Sequence, residues 1–130
     1  MAQVDTAQYR AFWRKLAQAE PTPEMRAAAE KARQEAERLA KILADEFGVE
    51  RVYLFGSFAW GVEVRPDSDI DLAVEGLPPG KLIKADVRIS NASQYQVDLV
   101  PLDSLPTNLH NRILKSGIVV YERQTAPTPG

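Results

Sequence analysis

The chain has 130 residues, 45% hydrophobic and 26% charged, the composition of one soluble globular domain with enough length for a single core. Its net charge of −2 supplies no bulk positive field, which argues against nonspecific capture of long nucleic acid. There is no cysteine, so disulfides, thiolate zinc sites and a thiol nucleophile are excluded. With no apolar run near ~18 residues and no basic-then-apolar leader, a cytoplasmic protein without a membrane partner is expected.

The first predicted element is a helix within residues 1–20. Asp5-Thr6-Ala7-Gln8 has capping-box spacing, and Tyr9, Phe12, Trp13 and Leu16 follow at helical intervals on one face. That face either packs on the domain or anchors another chain, since large aromatics suit both. Pro21-Thr22-Pro23 ends it. Thr22 is a good N-cap and Pro23 a good first residue for a second helix. In that helix Met25, Ala29, Ala32, Ala36, Leu39, Leu43 and Phe47 mark an apolar stripe, with Glu37→Lys41 among the charges opposite, and Gly48 is its stop. The small residues before Leu39 predict close helix packing.

Residues 51–55, Arg-Val-Tyr-Leu-Phe, read as a buried strand. Gly56-Ser57-Phe58-Ala59-Trp60-Gly61 then forms a tight turn and the start of a short helix. Backbone N–H groups in such a turn can point at a phosphate, and the Ser57 hydroxyl stands at the same place. Asp69 and Asp71 lie two apart in a second predicted strand, so they share a face with roughly 6–7 Å between their backbones. Ile70, Leu72 and Val74 face the other way, into the core. Residues 75–80 are a loop. Residues 81–92 are a helix with Leu82, Ala85 and Ile89 inward and Lys81, Lys84 and Arg88 on another face. Such a basic row is a solvated face or a contact for a triphosphate or an acidic partner. A strand carrying Asp98 ends at Pro101. A short helix follows, capped near Thr107 or Asn108, carrying Leu105, Leu109 and Ile113, and stopped by Gly117. Residues 118–121 are a last strand, and the polar, Pro-rich residues 123–130 form a disordered tail.

The acidic cluster has rivals that spacing removes. A calcium loop begun at Asp67 needs Gly and Glu where Leu72 and Pro78 stand. The Gly-Lys-Ser/Thr of a P-loop and the G-x-G-x-x-G of a dinucleotide turn are both absent. Three carboxylates, Asp69, Asp71 and Asp98, behind a Gly-Ser turn would repel one another unless cations sit among them, which points to a metal site. His110, the sole histidine, reads as a surface or edge residue rather than a base. Trp60 could stack on a base or pack in the core.

Gly56-Ser57, Gly61 and Ser68-Asp69-Ile70-Asp71-Leu72 resemble the signature of the DNA polymerase β-like nucleotidyltransferases, and within them the minimal nucleotidyltransferases of bacteria and archaea. The resemblance runs from about Arg51 to Tyr121, with Asp98 in the place of the family's third carboxylate. Two departures stand out. Eleven residues separate Ser57 from Asp69, one more than the commoner spacing, and Trp60 stands where many members have Arg.

The resemblance implies an α/β domain over residues 21–122, a small mixed sheet flanked by helices. It implies transfer of a nucleoside monophosphate, most often AMP from ATP, with two Mg²⁺ ions neutralising the phosphates and the leaving pyrophosphate. Asp69 and Asp71 would bridge the metals. Asp98 would hold the metal on the nucleophile's side and accept the hydroxyl proton. Gly56 and Ser57 would cradle the phosphates, with Ser68 grouped among the nucleotide-binding residues. The implied partner is a HEPN-domain RNase toxin, modified on a tyrosine by this chain acting as antitoxin in a hetero-oligomer. The alternatives are an antitoxin that neutralises by occlusion without catalysis, and a small-molecule enzyme of the aminoglycoside-modifying type.

Overall fold

The computed structural model describes residues 22–60 and 64–124. The expected aromatic helix of residues 1–20, Gly61 and the end of the tail lie outside those residues.

Helix α1 spans Pro23–Phe47. Both ends are set locally. The Thr22 hydroxyl accepts the Met25 N–H at 3.1 Å, which satisfies one of the first-turn donors that have no helical partner. Gly48 takes a left-handed φ of 67° and its N–H donates to the Ala44 carbonyl. Ala32, Ala36, Leu39, Ala40 and Leu43 are buried, and the alanines let the helix approach closely. The outer face is laced by ion pairs, although not by the pair the sequence suggested. Glu37 pairs with Arg33 and Lys41 with Asp45, because Arg33 sits one turn before Glu37 and its longer fork also reaches Glu30.

Four strands follow: β1 at Arg51–Phe55, β2 at Ile70–Glu75, β3 at Val97–Pro101 and β4 at Ile118–Glu122. They form one mixed sheet in the order β3-β2-β1-β4. β1 pairs antiparallel with both β2 and β4, while β2 and β3 are parallel. The parallel pair is joined by helix α3, Leu82–Ala92. Between β1 and β2 the short helix α2 covers Ser57–Trp60. After β3 come a single 3₁₀ turn, Leu102–Ser104, and helix α4, Thr107–Ser116. The expected side-chain cap at Thr107 or Asn108 is not made. Pro106 holds the cap position without a side-chain bond, and its carbonyl accepts the His110 N–H.

Strand alternation divides the side chains between two faces. Val52, Leu54, Ile70, Leu72, Val74, Val97 and Leu99 point to the face covered by α1 and α3 and form the main core with Ala85 and Ile89. The opposite face carries Tyr53, Ala73 and Val100, covered by Leu102 of the 3₁₀ turn and by Leu109 and Ile113 of α4. This second cluster is small, and among the described residues it leaves one end of its face uncovered. The short helix α2 bridges the two: Phe58 enters the main core, edge-on to Tyr95, while Trp60 packs with the second cluster.

Candidate functional site

The open end of the second face is where the three aspartates meet. Asp71 is the second residue of β2, and on the parallel neighbour Asp98 is its register partner. Register partners on adjacent strands point to the same side, so the two carboxylates project together. On the other neighbour Phe55 is paired with Asp71, which carries the chain straight from the bottom of the site into Gly56. Asp69 is in phase with Asp71 but lies one residue ahead of the strand, which begins at Ile70 rather than at Asp69. Asp69 and Asp98 are exposed, and Asp71 is half-buried between them.

That placement has an electrostatic signature. Burial, then Asp98, then Asp69 raise the Asp71 carboxyl from its ordinary 3.8 to about 6. Burial removes water from the charged form, and the two neighbouring carboxylates repel it. Among the described residues, no group of three or more acidic, histidine or cysteine side chains closes into a metal-holding cluster. The donors are nevertheless hard carboxylate oxygens, and the middle one is held against mutual repulsion that a divalent cation would relieve. The residues present therefore fit Mg²⁺ or Mn²⁺.

Gly56 is required here for a reason the sequence did not disclose. Its φ is 80°, and a Cβ at this position would collide with Oδ2 of Asp71. The turn is thus pressed against the central carboxylate, and only glycine has both the left-handed freedom and the missing atom. The Gly56 carbonyl accepts the N–H groups of Ala59 and Trp60, at 3.1 and 2.9 Å, which starts α2 and places Ser57 as its first residue. Ser68 shapes the approach to β2. Its hydroxyl accepts the Arg65 N–H at 2.9 Å, and its own N–H donates to the Arg65 carbonyl at 3.0 Å.

Other candidates fall elsewhere. The Trp60 indole is committed to packing. Its Nε1–H donates to the Ser116 carbonyl at 3.1 Å, its ring is tilted against Phe55 at 6.2 Å, and the Arg112 guanidinium lies over it at 3.9 Å. Lys84 and Arg88 belong to α3 and Lys81 is its N-cap residue, on the far face of the sheet from the aspartates, and Arg88 is bound to Glu46 of α1 at 2.8 Å. A contact between that row and a triphosphate at the aspartates is therefore ruled out, because the sheet stands between them. His110 is partly buried on α4.

Sequence reasoning missed Arg112, which lies in no motif and reaches Trp60 only through the docking of α4. It also missed a cleft of about 750 Å³ between α1, Asp67 and residues 92–96, lined by Lys31, Gln34, Arg38 and Tyr95. Within that cleft Glu35 bonds Arg38 and Ser93, and hydrogen bonding to Arg38 is the chief cause holding its carboxyl below the usual range. The three aspartates do not line it.

Among the described residues no helix is long and apolar enough to cross a membrane. No curated protein matches the chain. Solved structures do. A toxin-antitoxin crystal structure with AMP-PNP is 31% identical at a TM-score of 0.55, over 68% of this chain and 74% of that one. The toxin-antitoxin MntA-HepT structure is 26% identical at 0.52, over 69% and 72%. A tri-AMPylated HEPN toxin of Shewanella oneidensis in complex with MNT antitoxin is 25% identical at 0.53, over 71% and 73%. The family described as Polymerase beta, Nucleotidyltransferase matches residues 37–126. That span contains the glycine turn, both carboxylate strands and the helix that joins them, so the fold and the sequence lead to one assignment: this chain belongs to the polymerase β-type nucleotidyltransferases.

Proposed function

We propose that this chain transfers AMP from ATP to a hydroxyl of a HEPN-type toxin and thereby acts as its antitoxin. The observation that carries the chemistry is the in-register pair Asp71 and Asp98, with Asp71 packed against the Gly56 turn. A nucleotide whose phosphates rest on the turn would have its α-phosphorus beside both carboxylates.

In this reading Asp69 and Asp71 would hold two divalent ions, Mg²⁺ in the cell, together with the triphosphate. Bound there, the ions supply charge neutralisation at the α-phosphate and the departing pyrophosphate. The chain's own residues do the rest. Gly56 and Ser57 orient the β and γ phosphates through backbone N–H groups and the hydroxyl, and Ser68 keeps the loop before β2 in register with them. Asp98, exposed on β3, accepts the proton of the attacking hydroxyl as its oxygen adds to phosphorus and the bond to pyrophosphate breaks. Asp98, exposed among the described residues, is reachable by a side chain presented by another protein. Support for that acceptor comes from the similarity to an MNT antitoxin whose toxin partner is tri-AMPylated.

The test is to incubate the protein with ATP, Mg²⁺ and its HEPN partner and read added AMP on the partner by mass spectrometry. The double variant Asp69→Asn/Asp71→Asn should lose transfer by orders of magnitude and lose neutralisation, while still binding the partner. Occlusion without chemistry is the second reading, favoured by Trp60, which stands where many members have Arg and whose indole is committed to packing. It requires the double variant to neutralise fully, and that outcome would overturn the enzymatic reading.

A further inference from the structure

The guanidinium of Arg112 is placed differently from most others in the described chain. Arg33, Arg38, Arg51 and Arg88 each hold a carboxylate. Arg112, exposed on α4, holds none among the described residues and instead lies over the Trp60 ring at 3.9 Å from its centroid. Trp60 in turn is tied to the phosphate turn. Its N–H donates to the Gly56 carbonyl, so its backbone is one helical turn, about 5.4 Å, from Gly56. The indole is also anchored to α4 through the Ser116 carbonyl, and Arg112 and Ser116 are one turn apart on that helix. Phe55, against the same indole, is the register partner of Asp71. The guanidinium thus stands on the side of the sheet that carries Asp71, over an indole tied through its backbone to the Gly56 turn and through its ring N–H to α4.

We infer that Arg112, seated on Trp60, is a phosphate-binding residue that selects a triphosphate at the Gly56 turn. The inference rests on the nucleotide-site reading above. Its logic is charge. Three carboxylates and a polyphosphate in one pocket leave an excess of negative charge even with cations among them. The 51–55 strand and the turn themselves offer no free positive group to offset it, since Arg51 is committed to Glu122 and Glu75 at the opposite end of β1. A guanidinium parked on an aromatic face loses little on leaving it and keeps its fork of N–H donors available, the geometry that grips phosphate oxygens in pairs. A carboxylate partner would have neutralised it. An indole holds it in place and leaves the charge intact.

The test uses the full chain, with ATP and AMP binding followed by calorimetry in Mg²⁺ for the wild type, Arg112→Gln and Arg112→Lys. The assignment expects Arg112→Gln to weaken ATP about tenfold and AMP less than twofold, the size of one charge-assisted bond. Arg112→Lys should recover part of the ATP affinity. Equal loss for both nucleotides would assign Arg112 to the packing of Trp60 alone and overturn the inference, as would a Gln variant that binds ATP like the wild type. Those two results leave the nucleotide-site reading standing. A wild type that binds neither nucleotide would remove both.

Discussion

Replacing Asp71 by Asn should make the metal-free protein more stable, by an amount that depends on pH in a defined direction. The Asp71 carboxyl is raised from 3.8 to about 6 by burial, Asp98 and Asp69, in that order. An acid with a raised pKa binds its proton more tightly folded than unfolded. Between those two values the folded chain therefore carries more protons, and stability falls as pH rises through that window. Below about pH 4 the cost is absent, and above about pH 6 it is paid in full. The interval of roughly 2 pH units corresponds to a ceiling of about 3 kcal/mol. Asp71 is only half-buried, so solvent screening reduces this to about 1–1.5 kcal/mol. Asn has the same shape and no charge to lose. In EDTA at pH 7 the Asp71→Asn variant should melt roughly 3–6 °C above wild type, the two curves meeting near pH 4. Asp98→Asn should recover only the smaller part, because burial is the first cause. Urea denaturation across pH 4–7.5 measures this. Parallel stability profiles for wild type and Asp71→Asn would refute the argument that burial and the neighbouring carboxylates raise the Asp71 carboxyl.

Gly56→Ala should cost about 1–2 kcal/mol from the left-handed backbone alone and should also displace the Asp71 carboxylate, so AMP transfer falls by orders of magnitude. Adding Asp71→Ala should return part of the stability and none of the activity, as read by urea denaturation and mass spectrometry. Arg88→Ala should leave ATP binding within twofold of wild type, because its ion pair with Glu46 lies beyond the sheet from the aspartates. A larger effect would contradict the face assignment of α3.

The sequence was most informative where the determinant is local. Thr22, Pro23 and Gly48 mark the ends of α1 because helix capping is a matter of adjacent backbone groups. Asp71 turns to the face opposite the main core because strand periodicity is two, and Asp69, just ahead of β2, lies near enough to raise its carboxyl. Ile70, Leu72 and Val74 turn to the helices for the same reason. The resemblance added the third carboxylate, and β2 and β3 then set Asp71 and Asp98 side by side. What sequence could not supply is everything decided by which elements meet. Ala40 is buried although it stands outside the expected stripe, because α1 lies on the sheet with a broader face than one helical row. Arg88 is removed from the site because α3 packs behind the sheet, a choice made by the parallel pairing of β2 and β3 and not by the spacing of the basic row. The glycine at 56 is legible as a turn residue from the chain alone. That it must be glycine because Asp71 lies against it follows only when β1 and β2 are paired. Trp60 and Arg112, fifty-two positions apart, meet only because α4 docks on the second face. Periodicity and capping act within a few residues, so they can be read along the chain. Contact across a sheet is fixed by the sum of the burial it achieves, which belongs to the folded molecule.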